Sequence, residues 1–220
     1  MKTNLKVLIS NRECDSLEGK ISKGFQVIVL ACIVFLMTAT SVYAQGENWR
    51  KVTEQPTPRH DIGSCVVDGK IYSIGGMSHG YNPGSQTFFS MVTVFDPETG
   101  VWETCQSLPG PRVGLFACAI NGKIYAFGGR RNFGSGNLTV VEIYDIEKDE
   151  WTTGTSMPKG AAFAAGCVLD GRIYIMGGLQ ENGWMASKQL LRYNPVEDSW
   201  ETLAEMNVAQ SLFSANVVNG

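Results

Sequence analysis

The chain repeats itself about every fifty residues, and this self-similarity limits the folds open to it. The segment Gly-Lys/Arg-Ile-Tyr begins at Gly69, Gly122 and Gly171, so successive copies lie 53 and 49 residues apart. Three further kinds of marker recur in the same phase. They are the double glycines Gly75-Gly76, Gly128-Gly129 and Gly177-Gly178, the tryptophans Trp49, Trp102, Trp151 and Trp200, and the aromatic residues Phe95, Tyr144 and Tyr193. Together these markers indicate one structural unit copied along the chain.

Each period predicts four short antiparallel strands. Asp68-Gly69 separates the first two strands, because an Asx-Gly pair accepts positive φ at both positions of a two-residue hairpin turn. The double glycine ends the second strand, where missing side chains allow a sharp exit or a close approach of another backbone. Both faces of segments such as 71–74 are apolar, which favours a sheet packed between two other sheets.

These residues resemble the kelch repeat in their period, their double glycine and their spaced aromatic and tryptophan residues. The resemblance covers residues 48–220 and implies an all-β fold, a kelch-type β-propeller segment built of four-stranded antiparallel blades. A Pro-Arg pair before the first strand, another feature of the repeat, is present twice and then lost. The positions are Pro58-Arg59, Pro111-Arg112, Gly160-Ala161 and Ala209-Gln210.

The expected organisation is a leader over residues 1–44 and kelch repeats over residues 45–220, with three full repeats plus a partial fourth. The repeats begin with a fourth-strand residue, Trp49, and stop at Asn219-Gly220, the turn after a first strand. A propeller removes its sheet edges by closing into a ring. We therefore expect an incomplete propeller, either a fragment of a longer protein or one part of a ring completed by several chains. The fragment is favoured because an array ending in mid-hairpin lacks a cap.

The leader has the features of an export signal. Basic residues occur up to Lys23, an apolar run covers residues 27–37, and Val42-Tyr43-Ala44 provides a site for signal peptidase. The prediction is cleavage after Ala44 and a secreted or extracytoplasmic protein that begins at Gln45. An uncleaved segment 25–44 is about long enough to act as a membrane anchor, and membrane association is expected only in that case.

Composition and motifs exclude several functions. A formal net charge of −3 leaves no broad basic surface, so nucleic acid is not an expected partner. With 44% hydrophobic and 18% charged residues, the chain has the composition of a packed protein and not of a disordered one. The sequence contains no Ser-His-Asp set, phosphate-binding loop or zinc motif, so it predicts no catalytic residue, metal site or cofactor.

Four of the six cysteines follow the leader, and three of these are equivalent in phase. Cys65, Cys118 and Cys167 each lie four residues before a turn glycine, on the strand that is innermost in a propeller. Equivalent positions on adjacent blades are too far apart for a disulfide, so we expect buried free thiols. A metal-binding ring of thiolates is the alternative, but no Cys-x-x-Cys spacing supports it. Cys105 has no evident partner.

The loops opposite the hairpin turns are the expected recognition surface. The distance along the chain from the double glycine to the next in-phase aromatic residue is 19 residues in the first unit and 15 in the others. Arginines and aromatics on such loops are typical of binding sites. The predicted binding residues are Arg59, His79, Tyr81, Arg112, Arg130, Arg131, Phe133 and Trp184. His60 and His79 are predicted to approach each other here, and Asn137 begins a glycosylation sequon on the same side. The predicted structural residues are the double glycines with Trp102, Tyr144, Trp151, Tyr193 and Trp200.

The sequence thus favours an exported binding module that presents a variable loop face to a protein or glycan partner, without catalysis of its own. The alternative is a fragment of a secreted carbohydrate-active propeller enzyme. The resemblance to galactose oxidase implies copper ligands of histidine and tyrosine, and the resemblance to sialic-acid mutarotases implies charged side chains over the central channel. The chain has only two histidines and no Tyr-His pair, which favours the binding module.

Overall fold

Three four-stranded sheets, here called blades, follow one another along the chain. The computed structural model describes residues 51–79, 85–180 and 185–218. Blade 1 contains β1 (Gly63–Val67), β2 (Lys70–Ile74), β5 (Val92–Asp96) and β6 (Val101–Cys105). Blade 2 contains β7 (Phe116–Ile120), β8 (Lys123–Phe127), β9 (Val141–Asp145) and β10 (Glu150–Gly154). Blade 3 contains β11 (Ala165–Leu169), β12 (Arg172–Met176), β13 (Leu190–Asn194) and β14 (Ser199–Thr202). A small hairpin, β3 (Met77–His79) with β4 (Gln86–Phe88), lies between β2 and β5.

Neighbouring strands in every blade are antiparallel, which confirms the predicted all-β, four-stranded units. The first turn of each blade has positive φ at both central residues, as an Asx-Gly hairpin turn requires. The φ values are 49° and 77° at Asp68-Gly69, 53° and 70° at Asn121-Gly122, and 49° and 68° at Asp170-Gly171.

The blades pack face to face, so the two junctions between them form two hydrophobic cores. Ile74 and Val92 of blade 1 meet Ile124 and Tyr144 of blade 2 in the first core. The second core joins residues of blades 2 and 3 and includes Phe127, Val141, Ile173 and Tyr193. The contacts of β7 with β1 and β11 place the first strands side by side at the inner edge. Apolar residues on both faces of a strand therefore serve two junctions, as the sequence predicted.

The double glycines allow each blade to approach the backbone that leads into the next one. A Cβ atom on Gly128 would lie only 2.1 Å from the carbonyl oxygen of Ala161, and the Gly129 amide donates to that oxygen at 2.7 Å. Both glycines have positive φ, at 59° and 82°. Any side chain at Gly128 would break this contact. The equivalent contacts are those of Gly75 and Gly76 with Arg112, and of Gly177 and Gly178 with Gln210.

A second contact repeats at each junction through a tyrosine, an aspartate and a tryptophan of the later blade. Trp151 Nε1 donates to the carbonyl oxygen of Gln106 at 2.8 Å, and the Gln106 amide donates to Asp149 Oδ1 at 2.7 Å. The Tyr144 hydroxyl also donates to Asp149. These hydrogen bonds lower the pKa of Asp149, with the tyrosine bond as the largest cause. In blade 3 the Thr155 amide donates to Asp198 Oδ1 at 2.8 Å, Trp200 Nε1 donates to the Thr155 carbonyl oxygen at 2.8 Å, and the Tyr193 hydroxyl donates to Asp198.

Blade 1 departs from this arrangement at the equivalent positions. Phe95 and Gly100 replace the tyrosine and the aspartate, and Gly100 keeps the positive φ, at 73°. Trp102 packs on Phe95 with ring centroids 5.1 Å apart. Its Nε1 is buried and has no hydrogen-bond partner among the described residues. The three described in-phase tryptophans therefore all pack within their blades, and among the described residues Trp151 and Trp200 also donate a hydrogen bond to the preceding blade.

A belt of backbone hydrogen bonds runs around the segments that lead into the first strands. The residue two positions before each first strand, and its counterpart in the fourth repeat, has positive φ: Asp61 (54°), Gly114 (64°), Phe163 (55°) and Leu212 (56°). The Gly114 amide donates to Asp61 at 2.9 Å, Phe163 donates to Gly114 at 2.7 Å, and Leu212 donates to Phe163 at 3.0 Å. The four repeats are thus linked through main-chain groups.

The strand order gives the molecule two different faces. The turn face carries the turns between first and second strands and between third and fourth strands, and the loop face carries all other connections. Within the described parts of the chain, no helix has the length and apolar character needed to cross a bilayer. The predicted leader, residues 1–44, and Trp49 lie outside the described residues.

Candidate functional site

The loop face rests on a small hydrophobic layer of its own. Its buried members are Met77, Val113, Ala162, Phe163 and Leu179, with Phe88 and Phe133 packed against them. Phe88 of the β4 strand meets Phe133 of blade 2 edge to face, with ring centroids 5.7 Å apart. Phe133, a predicted binding residue, therefore packs at least partly into this layer. The layer fixes the loops of neighbouring blades against each other and gives the face a firm base.

Arg130, another predicted binding residue, is buried, with 3% of its surface exposed. Its Nε donates to Asn137 Oδ1 at 2.7 Å, and Asn137 Nδ2 donates to the carbonyl oxygen of Leu179 at 2.7 Å. Burial lowers the pKa of Arg130. Arg130 and the sequon residue Asn137 therefore join the loops of blades 2 and 3. This burial corrects the prediction that Arg130 contacts a partner.

Arg112 is also buried, with 3% exposed, and it forms an ion pair with Glu142 of β9. Burial lowers the pKa of Arg112, and the charge of Glu142 opposes that shift. Burial likewise raises the pKa of Glu142 against the effect of Arg112. The predicted binding role of Arg112 is thus also corrected, because its guanidinium is sealed in the junction between blades 1 and 2. Glu142 lies 30 residues from Arg112 in the sequence. The one sequence signal for this pair is that Glu142 is charged, while the equivalent residues Thr93 and Leu191 are uncharged.

Arg59 occupies the same position in blade 1 and is half-buried. Its Nη2 donates to Thr93 Oγ1 at 2.8 Å and to the carbonyl oxygen of Ser73 at 3.0 Å. Thr93 stands where blade 2 has Glu142, so Arg59 makes neutral contacts in place of an ion pair. Burial lowers its pKa. These bonds fix the segment before β1 to blade 1.

His79 is exposed and stacks on His60, with ring centroids 5.0 Å apart and an interplanar angle of 27°. This confirms that the two histidines approach each other on the loop face. His60 Nδ1 lies 3.1 Å from Asp61 Oδ2. Across the residues that the structure describes, no group of three or more His, Cys, Asp or Glu side chains is arranged to hold a metal ion.

Arg131 is exposed, and its backbone belongs to a turn on the loop face. Its Nη1 occupies space beside Gly110, only 2.4 Å from where a Cβ atom would lie. Its backbone amide donates to Ser135 Oγ at 3.1 Å, and the Gly134 amide donates to Asn132 Oδ1 at 2.9 Å. Residues 131–135 therefore form a tight turn that carries the arginine.

Tyr81 and Trp184, the remaining predicted binding residues, lie outside the described residues. Of the six predicted binding residues that the structure describes, His79 and Arg131 have exposed side chains. The participation of the exposed residues in binding stays a prediction.

The four cysteines after the leader are free thiols, of which Cys118 is buried and the others partly buried. Burial raises the pKa of Cys65 to about 12 and raises that of Cys118 well above its ordinary value. Such thiols are poor nucleophiles because the thiolate is the reactive form.

The two faces differ in charge. The turn face carries ten carboxylates and four cations, and the described part of the loop face carries six cations and three carboxylates. On the turn face these residues are Asp68, Asp96, Glu98, Asp145, Glu147, Asp149, Glu150, Asp170, Glu197 and Asp198, with Lys70, Lys123, Lys148 and Arg172. On the loop face they are Arg59, Arg112, Arg130, Arg131, Lys159 and Lys188, with Glu54, Asp61 and Glu205. Arg112 and Arg130 are buried, and Arg112 is paired with Glu142, so the exposed cations Arg131, Lys159 and Lys188 are balanced by the three loop-face carboxylates. The turn face is therefore the acidic one, and the described loop face is close to neutral at its surface.

Comparison with known proteins identifies relatives for most of the chain. The family model described as the KLHDC2/KLHL20/DRC7 Kelch-repeats domain matches residues 44–218. An F-box/kelch-repeat protein of Arabidopsis thaliana is 35% identical over 133 residues, which cover 54% of this chain and 34% of the relative. Kelch-like protein 28 of Homo sapiens is 31% identical over 89 residues, which cover 40% of this chain and 16% of the relative. The chain thus spans about a third or less of these relatives' length.

The solved structure of YjhT has a similar fold, with a TM-score of 0.65. The match covers 77% of this chain and 59% of that chain, at 18% sequence identity. At this identity the similarity supports the fold alone.

Proposed function

The chain belongs to the kelch-repeat family, and we propose that it binds a partner protein through its loop face. Kelch-repeat domains typically act as protein-interaction modules, and the curated relatives are kelch-repeat proteins over the matched region. The choice of the loop face is our inference from the arrangement of residues on the two faces.

One contrast carries this proposal: the exposed loop residues differ from blade to blade, while the layer beneath them is fixed. The turn face repeats the same two-residue turn in every blade. The loop face exposes different residues in each repeat, including His79, Arg131 and, at 72% exposure, Met185. Variable side chains on a rigid support are typical of recognition surfaces.

A glycan is a second partner class that the same loops could accommodate, and a binding screen separates it from a protein partner. The full-length protein is screened against a peptide display library and a glycan array. A partner found there is then tested with R131A/W184A, which changes one exposed residue of the loop face and one predicted binding residue. We expect affinity to fall by roughly 30-fold, because arginine and tryptophan most often dominate interfaces.

The matched control is K148A/R172A, which changes two residues on the turn face. We expect this control to bind normally and both variants to keep the unfolding midpoint of the wild type, because side chains on loops and turns are expected to contribute little to the packing of the blades. Normal binding by R131A/W184A together with lost binding by K148A/R172A would place the site on the turn face and refute the proposal.

We also propose that the protein is exported and begins at Gln45, since the leader has a basic region, an apolar block and a cleavage site. Mass spectrometry of the product from its native host checks this directly. An N-terminus at Gln45 in the extracytoplasmic fraction is expected. An intact leader in the cytoplasmic fraction would contradict export, and an intact leader in the membrane fraction would replace secretion by anchoring.

A further inference from the structure

We infer that His60 and His79 together bind a divalent transition-metal ion such as Zn²⁺ or Cu²⁺ on the loop face, and that Asp61 orients His60 for this role. The inference is independent of the partner proposed above. It depends on three observations: the backbone that brings the two histidines together, the stacking of their rings, and the carboxylate beside His60.

The first observation is that two bonded segments hold the histidines side by side, although they lie far apart in the sequence. The His60 amide donates to the carbonyl oxygen of Met77 at 2.9 Å, and the Met77 amide donates to that of His60 at 2.9 Å. His79 follows two residues later on β3, so it lies on the same side of the strand as Met77. Because opposed residues of antiparallel segments share a face, His60 and His79 are diagonal neighbours on that face.

The second observation is that the two imidazole rings lie close enough to share an ion. Their centroids are 5.0 Å apart, and the rings are inclined by 27°. Zinc binds imidazole nitrogen at about 2.0–2.1 Å, which places two nitrogens of a tetrahedral site about 3.4 Å apart. Both residues are exposed, so their rings can turn toward a common ion.

The third observation is that Asp61 determines which nitrogen of His60 is free. His60 Nδ1 lies 3.1 Å from Asp61 Oδ2, and a carboxylate accepts hydrogen bonds, so Nδ1 carries the proton. The neutral ring then presents the lone pair of Nε2 to an ion. Histidines that bind metals commonly have a carboxylate on the other nitrogen. Asp61 is itself held by the belt of backbone bonds, since the Gly114 amide donates to its carbonyl oxygen at 2.9 Å.

The type of ligand selects the type of ion. Imidazole nitrogen suits zinc, copper and nickel, whereas magnesium and calcium take oxygen ligands. Within the described ranges, no third His, Cys, Asp or Glu joins the pair, so we assign the remaining coordination positions to water. The ion links the segment before β1 to β3 and thereby fixes one connection of the loop face. The site is assigned no redox or hydrolytic step.

The test uses the full-length protein without an affinity tag, because the chain contains only two histidines. We expect calorimetric titration with Zn²⁺ to show one site per chain. H60Q and H79Q should each weaken Zn²⁺ binding at least about tenfold, because even the hydrogen-bond partners of metal ligands contribute about 10- to 100-fold. A double variant H60Q/H79Q that binds Zn²⁺ as tightly as the wild type would overturn the inference.

The matched control is E147Q/E150Q, which removes two exposed carboxylates from the acidic turn face. We expect its affinity for Zn²⁺ to stay within about twofold of the wild type, since imidazole and not these carboxylates supplies the ligands. A loss equal to that of the histidine variants would assign the ion to the turn face and overturn the inference.

Electron paramagnetic resonance with Cu²⁺ identifies the ligand atoms directly. One equivalent of Cu²⁺ is added to protein that contains ¹⁵N-labelled histidine. We expect nitrogen hyperfine structure that changes with the isotope and is lost in H60Q/H79Q. A Cu²⁺ signal that does not respond to the isotope would contradict imidazole ligation.

Two substitutions of Asp61 test its orienting role. D61G removes the carboxylate but keeps the positive φ, as Gly114 does at the equivalent position, and we expect it to weaken Zn²⁺ binding about tenfold. D61N keeps an oxygen acceptor, and asparagine tolerates positive φ. We therefore expect D61N to restore affinity to within about threefold of the wild type. Wild-type affinity in D61G, or equal losses in D61G and D61N, would overturn the role of Asp61.

Discussion

The junctions between blades 1 and 2 and between blades 2 and 3 use the same backbone positions with opposite chemistry. The first junction contains the buried ion pair Arg112–Glu142. At the equivalent positions the second junction contains Ala161 and Leu191, with 3% and 2% of their surfaces exposed. The loss of the Pro-Arg pair in the third repeat is therefore matched by the loss of the carboxylate that it would face.

This difference shows that the backbone contact does not depend on charge. The Ala161 carbonyl accepts from Gly129 at 2.7 Å, and the Arg112 carbonyl accepts from Gly76 at the same distance. A buried ion pair gains Coulomb energy but loses the hydration of both ions, so an apolar pair of suitable shape can be equally stable. The two junctions are natural versions of that exchange.

The largest expected effect comes from breaking the ion pair on one side. We expect E142L to lower the free energy of unfolding by about 3–5 kcal/mol, because it leaves the Arg112 guanidinium buried without a carboxylate. Chemical denaturation of the full-length protein followed by tryptophan fluorescence measures the loss.

The matched control is the double variant R112A/E142L, which gives the first junction the residues of the second. We expect its unfolding free energy to lie within about 1 kcal/mol of the wild type, since both buried charges are removed together. A double variant as unstable as E142L would mean that the junctions are not interchangeable and that shape, not charge, separates them.

A smaller effect is expected from the tryptophans that hydrogen-bond across the junctions. W151F and W200F each lose the bond from Nε1 to the preceding blade, and we expect each to cost about 1 kcal/mol beyond the loss of ring area. W102F supplies the reference, because Trp102 Nε1 has no partner among the described residues. The urea midpoints of W151F and W200F are compared with the urea midpoint of W102F. Equal midpoints for all three would show that the hydrogen bonds contribute nothing measurable.

The smallest expected effect concerns acid. Hydrogen bonds from Tyr144 and Gln106 lower the pKa of Asp149. For Asp198, burial alone would raise the pKa, but the bonds from Tyr193 and Thr155 outweigh it and lower the pKa below 3.8. A carboxyl with a depressed pKa in the folded state stabilises the protein above the pKa of the unfolded state. That contribution is lost as the pH falls through the folded value.

We therefore expect the unfolding free energy of the wild type to decrease below about pH 4, and that of D149N/D198N to decrease less steeply. Thermal unfolding at a series of pH values gives the slopes. E147Q serves as control, since Glu147 is an exposed carboxyl on the same turn as Asp149. A double variant with the wild-type slope would place the acid-sensitive groups elsewhere.

The sequence predicted the repeating elements because each depends on residues that are local in the chain. Asp68-Gly69 specifies its own turn, and Gly128 and Gly129 mark a close approach whatever lies on the other side. The inner position of Cys118 followed from the phase of the repeat. In each of these cases the residues that determine the local structure lie close together in the chain, so the sequence pattern is sufficient to predict that structure.

Contacts between blades were not predictable in the same way. Arg112 meets a carboxylate 30 residues away, and Asp149 accepts from an amide 43 residues away. The arginines of the repeat therefore looked like loop residues available to a partner, although two of them are buried. Comparing the repeats position by position gives the only signal, since Glu142 stands where the other blades have Thr93 and Leu191.

The belt through Asp61, Gly114, Phe163 and Leu212 does not depend on the side chains of the loops around it. Main-chain groups form every bond of the belt, so exchanging the side chains of the surrounding loops leaves the bonds in place. Only a residue without an amide hydrogen, such as proline at Phe163, would remove one. Insertions and substitutions in one loop need not disturb the angle at which its neighbours are held. Foreign loops can therefore be grafted onto this scaffold one at a time, with the spacing between grafts already determined by the backbone.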